Sequence, residues 1–512
     1  MLILCLGSEY FHEAFQKMGH TVMAPPHKEG YPVDALFNNL RDRPDMLVYT
    51  DHLGQHFWPD GIANVYGVPK VYYAVDTPIN FWWQKHFSKL FDYVFCDQKP
   101  HAALLREGGT EASWLPVGVD AKTYLPGDNE KKEKLYDFGF VGVTDERRRP
   151  KRARLMNLLS RKYTLKTAGS RGDAWVGPDE SGQIYRQSKL ALNENLFPGV
   201  TMRMLEAMAS GAVLFTEKAG GDLGELFKAG DDFAWFEPRE LLAAAELWLG
   251  DDKLRAKTAK RAMEKVHGAH DIQNRAETLM ETIKGVNPGK AFVDAESLDD
   301  EAKSLFLTAV RWPREEGQRR ILRAEKLFEK ARNLKLISPE GLFYLGHVER
   351  LKGNPEGAET YLNEAFEAGE PRGALSLGIL ALGRKNPKMA REHIKKFTGV
   401  DFSPLNLDTL HFEAVKLIAK RLLELGHDIC PGFSRLPHDP ALWTAFEYLQ
   451  TAFQAKPEDP ENARELLKIL ISRDAMAEAM DAAQKALEHN PDDPELGALY
   501  NEACLASYVT LN

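Results

Sequence analysis

A chain of 512 residues has room for about three domains at the usual size of roughly 150 residues, which excludes a single small module. Hydrophobic residues at 44%, charged at 28% and aromatic at 10% are ordinary for folded soluble chains and exclude disorder or a fibrous repeat. Sixty-six basic against 75 acidic side chains leave a net charge of -9, which speaks against nucleic acid as a general partner.

Four cysteines, Cys5, Cys96, Cys430 and Cys504, lack CxxC spacing, so buried reduced thiols are expected rather than a zinc site or a disulfide framework. The opening residues have no basic flank, and no run of about 18 apolar residues occurs. A cytoplasmic protein without a transmembrane segment is expected.

In chain order, Met1 to Leu6 is a short apolar run ending at Gly7-Ser8. His12 to Met18 then reads as a helix before a second run, Thr21 to Ala24. Similar runs recur at Asp45 to Thr50, Lys70 to Val75 and Tyr93 to Cys96, separated by helix-length segments. Strands alternating with helices predict a parallel sheet with crossover helices, over residues 1–125. The pattern restarts at Tyr136 to Val143 and continues through Tyr163 to Thr167, Leu190 to Asn193, Ala212 to Thr216 and Phe233 to Phe236. Helices follow from Glu240 to Lys284, which predicts a second Rossmann-like lobe over 126–285. Two such lobes in tandem predict a cleft.

Gly285 to Gly289 breaks the pattern and opens a linker, 286–300. From 301 to 512 strand signals give way to alanine- and leucine-rich helices punctuated by Asn-Pro and Asp-Pro. Ala324, Phe328 and Ala331 have the spacing A-x3-F-x2-A; Leu342, Leu345, Gly346, Ala358 and Ala365 fall 34 residues on, and a frame shifted by 32 places Leu377, Gly378 and Ala390. Ala479, Ala483, Ala486 and Pro491 repeat the second-helix pattern. This resembles the tetratricopeptide repeat (TPR), with Thr308, Leu342 and Ala374 where that repeat has a large aromatic; a generic array of helical hairpins is the alternative. Either form would offer a concave surface to a polypeptide. Residues 401–440 fit no frame and read as an irregular insert.

Ligands of open parallel sheets bind beyond the carboxyl ends of the strands. Gly7-Ser8, Asp51-His52, Asp76-Thr77, Gly142, Asn193 to Asn195 and Thr216 to Gly221 all fall there. Asp145 to Arg154 carries six basic residues in its last eight, just before an amphipathic helix; cations at a helix start oppose the macrodipole, so either a bound anion or a solvated charge run is expected. No P-loop pattern is present, which argues against an ordinary ATPase. Arg203 and Glu206 are three apart, on one face near a helix start, while Ala207, Ala209 and Gly211 permit close packing. That carboxylate can accept two ribose hydroxyls and that arginine can reach a diphosphate; a local Arg–Glu salt bridge is the alternative. Gly220-Gly221-Asp222 reads as a close approach to sugar or phosphate, or as an ordinary turn. Phe81-Trp82-Trp83 is expected to pack between helices rather than stack on a sugar.

Val75-Asp-Thr-Pro78, Trp114 to Asp120, Phe138 to Gly142, Lys189 to Asn193, Arg203 to Gly211, Glu225 to Gly230 and His270-x4-Arg275 together resemble GT-B fold glycosyltransferases of the spore-maturation and glycosyl transferases group 1 type, over residues 70–285. The resemblance implies an α/β fold of two Rossmann-like lobes followed here by an all-α region. It implies a nucleotide-diphosphate sugar as donor substrate, with no bound cofactor and no metal, because arginines and helix N-termini neutralise the leaving diphosphate. Donor binding would fall to Gly142, Arg147, Arg148, Asn193, Arg203, Glu206, Thr216, Gly220 and Gly221. The amino lobe would supply the acceptor side, with Gly7 and Ser8 in an interlobe loop and Asp76 as first choice of general base, followed by Asp51 and His52.

One departure concerns the paired glutamates of related retaining families: eight residues before Glu206 stands Pro198, with Glu194 four residues earlier, so stereochemistry stays open. Domain association points to a protein acceptor, for example flagellin or another surface protein. Assembly of a surface polysaccharide and a non-catalytic, nucleotide-sugar-sensing scaffold are the alternatives.

Overall fold

The computed structural model describes residues 1–52, 57–126, 134–144, 149–169, 176–194, 199–217, 221–288, 295–311, 315–401, 412–427, 440–472 and 475–507. The amino lobe alternates β1 (Leu2–Gly7), α1 (His12–Lys17), β2 (Thr21–Met23), α2 (Val33–Asn39), β3 (Met46–Thr50), β4 (Lys70–Ala74), α3 (Thr77–Phe87), β5 (Tyr93–Cys96), α4 (Lys99–Glu107) and β6 (Ala112–Trp114). Its strands run in the order β2-β1-β3-β4-β5-β6, every neighbouring pair parallel. Both faces are covered, which is why β1, β3 and β4 are nearly continuous apolar runs. Gly7 ends β1 at φ +81, where a Cβ would stand 2.0 Å from the Thr50 carbonyl oxygen, so only glycine lets the two strand ends meet.

The second lobe comprises β7 (Tyr136–Val141), α5 (Pro150–Ser160), β8 (Leu165–Ala168), α6 (Pro178–Arg186), β9 (Ser188–Asn193), α7 (Met202–Ala209), β10 (Val213–Glu217), α8 (Gly221–Leu226), β11 (Ala234–Phe236), α9 (Leu241–Gly250), α10 (Asp252–Ala269) and α11 (Ile272–Ile283). Its parallel sheet has the order β11-β10-β9-β7-β8. Each predicted strand is present, with ends displaced by one or two residues. The last helix returns to the amino lobe. Asp271 caps α11 in a capping box with Asn274, the Ile272 amide donates to the Val119 carbonyl at 3.0 Å, and buried Arg275 holds His270 Nδ1 at 2.8 Å and the Val117 carbonyl at 3.3 Å. One core therefore runs through both lobes, from Phe11, Phe15 and Tyr73 to Met204 and Leu279.

The remainder is helical: α12 (Ala295–Arg311), α13 (Glu315–Asn333), α14 (Pro339–Leu351), α15 (Pro355–Glu367), α16 (Arg372–Gly383), α17 (Pro387–Thr398), α18 (Phe412–Glu424), α19 (Ala445–Ala455), α20 (Pro460–Ser472), α21 (Met476–His489) and α22 (Pro494–Ser507). Ser338, Asn354 and Asn386 cap helices that begin with proline, the arrangement that satisfies a first-turn amide without losing a hydrogen bond. Consecutive helices pack as hairpins, and the contact repeats. A Cβ on Gly346 would lie 2.8 Å from Leu362 Cγ, and one on Gly378 2.8 Å from Ile394 Cγ1, so both glycines mark the close crossing of their hairpin. Ala324, Phe328, Ala331, Ala358, Ala365 and Ala390 are buried as the spacing predicts.

Helix α12 starts at Ala295, inside the segment expected as linker, and residues 289–294 lie outside the described residues. So do most of the predicted insert, at 402–411 and 428–439, and Cys430 within it. The helical region is not hung on the lobes. It shares a core with the amino lobe, from Tyr49, Trp58, Trp83 and Phe87 to Leu305, Phe306 and Leu345. Buried Glu29 accepts from Arg320 Nη2 at 2.9 Å and Arg323 Nη1 at 2.8 Å, and His86 Nδ1 lies 3.2 Å from Asp300 Oδ1. Trp83 packs as expected, edge-on to Trp58 at 4.8 Å, while Trp82 stays half-buried.

Candidate functional site

The carboxyl ends of the two sheets are brought together by interlobe hydrogen bonds. Gln98, just after β5, donates through Nε2 to the Val200 carbonyl at 3.0 Å, and the Lys99 amide donates to Asp222 Oδ2 at 3.1 Å. Gly199 is required there, since at φ +149 a Cβ would stand 1.8 Å from Gln98 Oε1.

In the carboxyl lobe the cluster centres on Arg203, in the first turn of α7. Its Nε donates to the Val141 carbonyl at the end of β7 at 2.8 Å, and its Nη1 to Asn193 Oδ1 at the end of β9 at 3.2 Å. Asn193 Nδ2 donates in turn to Thr216 Oγ1 on β10 at 3.0 Å, so three strand ends and a helix start converge on one guanidinium. Its carbon lies 4.7 Å from the Phe140 ring centroid. Gly142 makes room: at φ +150 its backbone passes so close that a Cβ would be 2.5 Å from Arg203 Nη2. Glu206, one turn along α7, is half-buried. Burial raises its carboxyl, opposed by the Arg203 charge and a hydrogen bond from the Tyr124 hydroxyl, which reaches it from the connection between the lobes. Gly221 opens α8.

Arg147, Arg148 and Gly220 lie outside the described residues. Of the same basic segment, Lys151 pairs with Glu217 at 3.0 Å and buried Arg152 with buried Glu194 at 2.7 Å. Glu194 is thus held on Arg152.

In the amino lobe Asp76 has φ 53 and ψ 39, a left-handed conformation that Asp tolerates better than most residues, and it stands at the N-cap of α3 without using its side chain to cap. Asp97, at the end of β5, does that work instead: its Oδ2 accepts from the Asp76 amide at 2.8 Å, and its Oδ1 from the Thr77 amide at 3.2 Å and hydroxyl at 2.7 Å. Asp76 is left exposed, with its carboxyl raised by the protein packed around it. Asp97 is pushed up to about 7 by burial and by the Asp76 charge.

Asp51 is buried. Its Oδ2 accepts from Tyr72 at 2.8 Å, the Val75 amide at 3.0 Å and Gln84 Nε2 at 2.7 Å, and burial pushes the group up to about 7. It ties β4 to α3. His52 is half-buried and stacks on His27 with ring centroids 5.2 Å apart. Gly7 and Ser8 sit at the end of β1, where the Ser8 amide donates to the Thr50 carbonyl at 2.9 Å. Sequence reasoning missed Asp97, Gln98, Arg152 and Tyr124. Asp97 carries the signal used for Asp76, a carboxylate directly after a strand, whereas Tyr124 carries none.

Two parallel-sheet α/β lobes, with Arg203 and Glu206 beside the carboxyl edge of the second sheet, make this a two-lobed α/β protein followed by a helical region. Residues 147–281 match the family model described as glycosyl transferase-like. No curated protein matches the chain. Among solved structures, sucrose-phosphate synthase from Thermosynechococcus elongatus is 11% identical, with 56% of this chain and 98% of that one covered and a TM-score of 0.42. HepE from Anabaena in complex with UDP is 14% identical, with 56% and 100% covered and a TM-score of 0.38. The C-terminal domain of the glycosyl transferase group 1 family protein LpcC from Francisella tularensis is 18% identical, with 30% and 97% covered and a TM-score of 0.24. Among the described residues, no helix is long and apolar enough to cross a membrane.

Proposed function

We propose that the protein is a cytoplasmic glycosyltransferase that moves a sugar from a nucleotide-diphosphate sugar to an acceptor hydroxyl without a bound metal, and that the acceptor is a protein recruited by the TPR-like helical region. The observation that carries this reading is the convergence of Val141, Asn193 and Glu206 on Arg203, a residue of the segment 147–281 that matches the glycosyl transferase-like family. Glu206 accepts the ribose hydroxyls. Arg203, in the first turn of α7, balances the charge of the departing diphosphate. Gly142 and Gly221 let the donor approach the backbone. Asp76 takes the proton of the attacking hydroxyl in an inverting transfer, its raised carboxyl being better matched to that proton than an ordinary aspartate.

The protein acceptor is supported by how the helical region sits. Sharing a core with the acceptor-side lobe, it presents whatever it holds at a set position beside α3, whose N-cap is Asp76.

The test is a thermal-shift panel of nucleoside diphosphates and their sugars on wild type and Glu206→Ala, without metal and then with magnesium. One nucleotide should stabilise the wild type without metal and fail on the variant, and its sugar should release nucleotide when acceptor protein is added. A protein that no nucleotide stabilises is instead a scaffold built on the same fold.

A further inference from the structure

Gln98 stands between the two halves of the site. It follows β5 closely, and its side-chain nitrogen donates twice, to the Val200 carbonyl of the carboxyl lobe at 3.0 Å and to Asp97 Oδ2 of its own lobe at 3.3 Å. Exchanging the amide nitrogen and oxygen would set an oxygen against two acceptors, so this orientation is fixed by chemistry. The amide oxygen lies on the other side, against Gly199, where a Cβ would stand 1.8 Å from it, and among the described residues it accepts no hydrogen bond. The side chain has one place to be.

Asp97 Oδ2 is also the atom that accepts the Asp76 amide, at 2.8 Å, while Oδ1 takes the Thr77 amide and hydroxyl. Asp76 depends on that grip. At φ 53 its backbone adopts a conformation that a residue with a side chain keeps only where its neighbours hold it, and its own carboxylate does not cap α3. At the other end, Val200 is buried in the core common to both lobes and comes three residues before Arg203, with the Met204 amide donating to the Thr201 carbonyl at 3.1 Å. Three hydrogen bonds in series therefore join the turn that carries Arg203 to the backbone of Asp76. The other interlobe bond, from the Lys99 amide to Asp222, bypasses Asp97.

We propose that Gln98 is a positioning residue that couples the two halves of the site. A nucleotide seated on Arg203 and Glu206 fixes the Val200 carbonyl, Gln98 passes that constraint to Asp97, and Asp97 sets the direction in which Asp76 presents its carboxylate to the attacking hydroxyl. Gln98 itself touches neither the substrates nor the proton. The proposal rests on the reading of Asp76 as base and of Arg203 with Glu206 as donor site.

Carboxyl labelling reads Asp76 directly. Trypsin cuts after Lys70 and Lys85, and in the peptide between them, residues 71–85, Asp76 is the single acidic side chain. The full chain is treated with a water-soluble carbodiimide and glycinamide, alone and with uridine, adenosine, guanosine or cytidine diphosphate, and labelling of that peptide is followed by mass spectrometry. The diphosphate that stabilises the wild type should change the labelling rate of Asp76 at least about threefold, the scale of one hydrogen bond. Gln98→Met and Gln98→Glu should lose that change while the same diphosphate still raises their melting temperature. Methionine fills the place of glutamine without either donation, so that variant remains informative if the buried glutamate prevents folding.

Direct shielding of Asp76 by the nucleotide would survive both substitutions, and a Gln98 that merely holds the lobes together would show as a lost thermal shift in both variants. Either result overturns the proposal, as does wild-type labelling that ignores the nucleotide. A thermal shift without the labelling change removes only the Gln98 link; no shift with any diphosphate removes the donor site and the link with it.

Discussion

Arg152 and Glu194 are paired inside the carboxyl lobe, with Nη2 2.7 Å and Nε 2.9 Å from Glu194 Oε2 and both side chains almost wholly buried. Arg152 also donates to the Val143 carbonyl at 2.7 Å and lies 5.0 Å from the Phe140 ring, the same ring that Arg203 approaches. Two guanidiniums therefore flank one aromatic side chain, and Glu194 compensates the buried one. Glu194→Ala leaves Arg152 uncompensated and should cost about 3–5 kcal/mol of stability, whereas Arg152→Met with Glu194→Leu should cost far less. Denaturant unfolding of the three proteins measures both differences.

Arg203 makes its contacts through three separate nitrogens or faces of the guanidinium, which a lysine ammonium cannot reproduce. Arg203→Lys should raise the Kd of the stabilising nucleotide diphosphate by about 10- to 100-fold, the loss of one or two charge-assisted hydrogen bonds. Titration calorimetry on the variant and on wild type reads this directly.

Gly142→Ala adds one methyl group at a positive φ, 2.5 Å from Arg203 Nη2. The guanidinium must move, so nucleotide affinity should fall about as far as in Arg203→Lys although no charge has changed. Unaltered affinity would mean that Arg203 does not touch the nucleotide.

Asp51 and Asp97 are both pushed up to about 7 from an ordinary 3.8, first by burial. The native state holds these protons more tightly than the unfolded chain, so their stabilising contribution is complete below about pH 4 and is lost as pH rises through about 7. Asp97→Asn keeps a neutral group at all pH values. The Tm of this variant relative to wild type should therefore climb between pH 5 and pH 8, read by thermal melts at constant ionic strength.

The amino lobe buries Trp58, Trp83 and Phe87 in a core completed by Leu305, Phe306 and Leu345 of the helical region, and Glu29 is buried against Arg320 and Arg323. Residues 1–288 alone would expose that apolar surface and leave Glu29 unpaired. The shortened chain should bind a hydrophobic dye and melt well below the full protein, while a mere tether between independent units would leave the melting of the lobes unchanged.

Strand and helix order in both lobes, the change to helices near 295, the strand-end positions of Asp76, Gly142, Asn193 and Thr216, and the place of Arg203 and Glu206 on one face near a helix start were legible in the sequence. Each depends on short-range periodicity, on a glycine demanded by a close approach, or on the rule that parallel strands present their carboxyl ends. Asp97 stood in the same kind of position but was indistinguishable from a turn residue until its carboxylate was seen capping α3 from a neighbouring strand. Tyr124 reaches Glu206, and Arg152 reaches Glu194, across separations that no local pattern encodes. The helical periodicity likewise gave hairpins without saying what they would lie against. Only the tertiary structure decided that α3, which begins at Asp76, packs on the first helices of that array, because contacts between distant segments are set by complementary surfaces rather than by the spacing of residues along one of them.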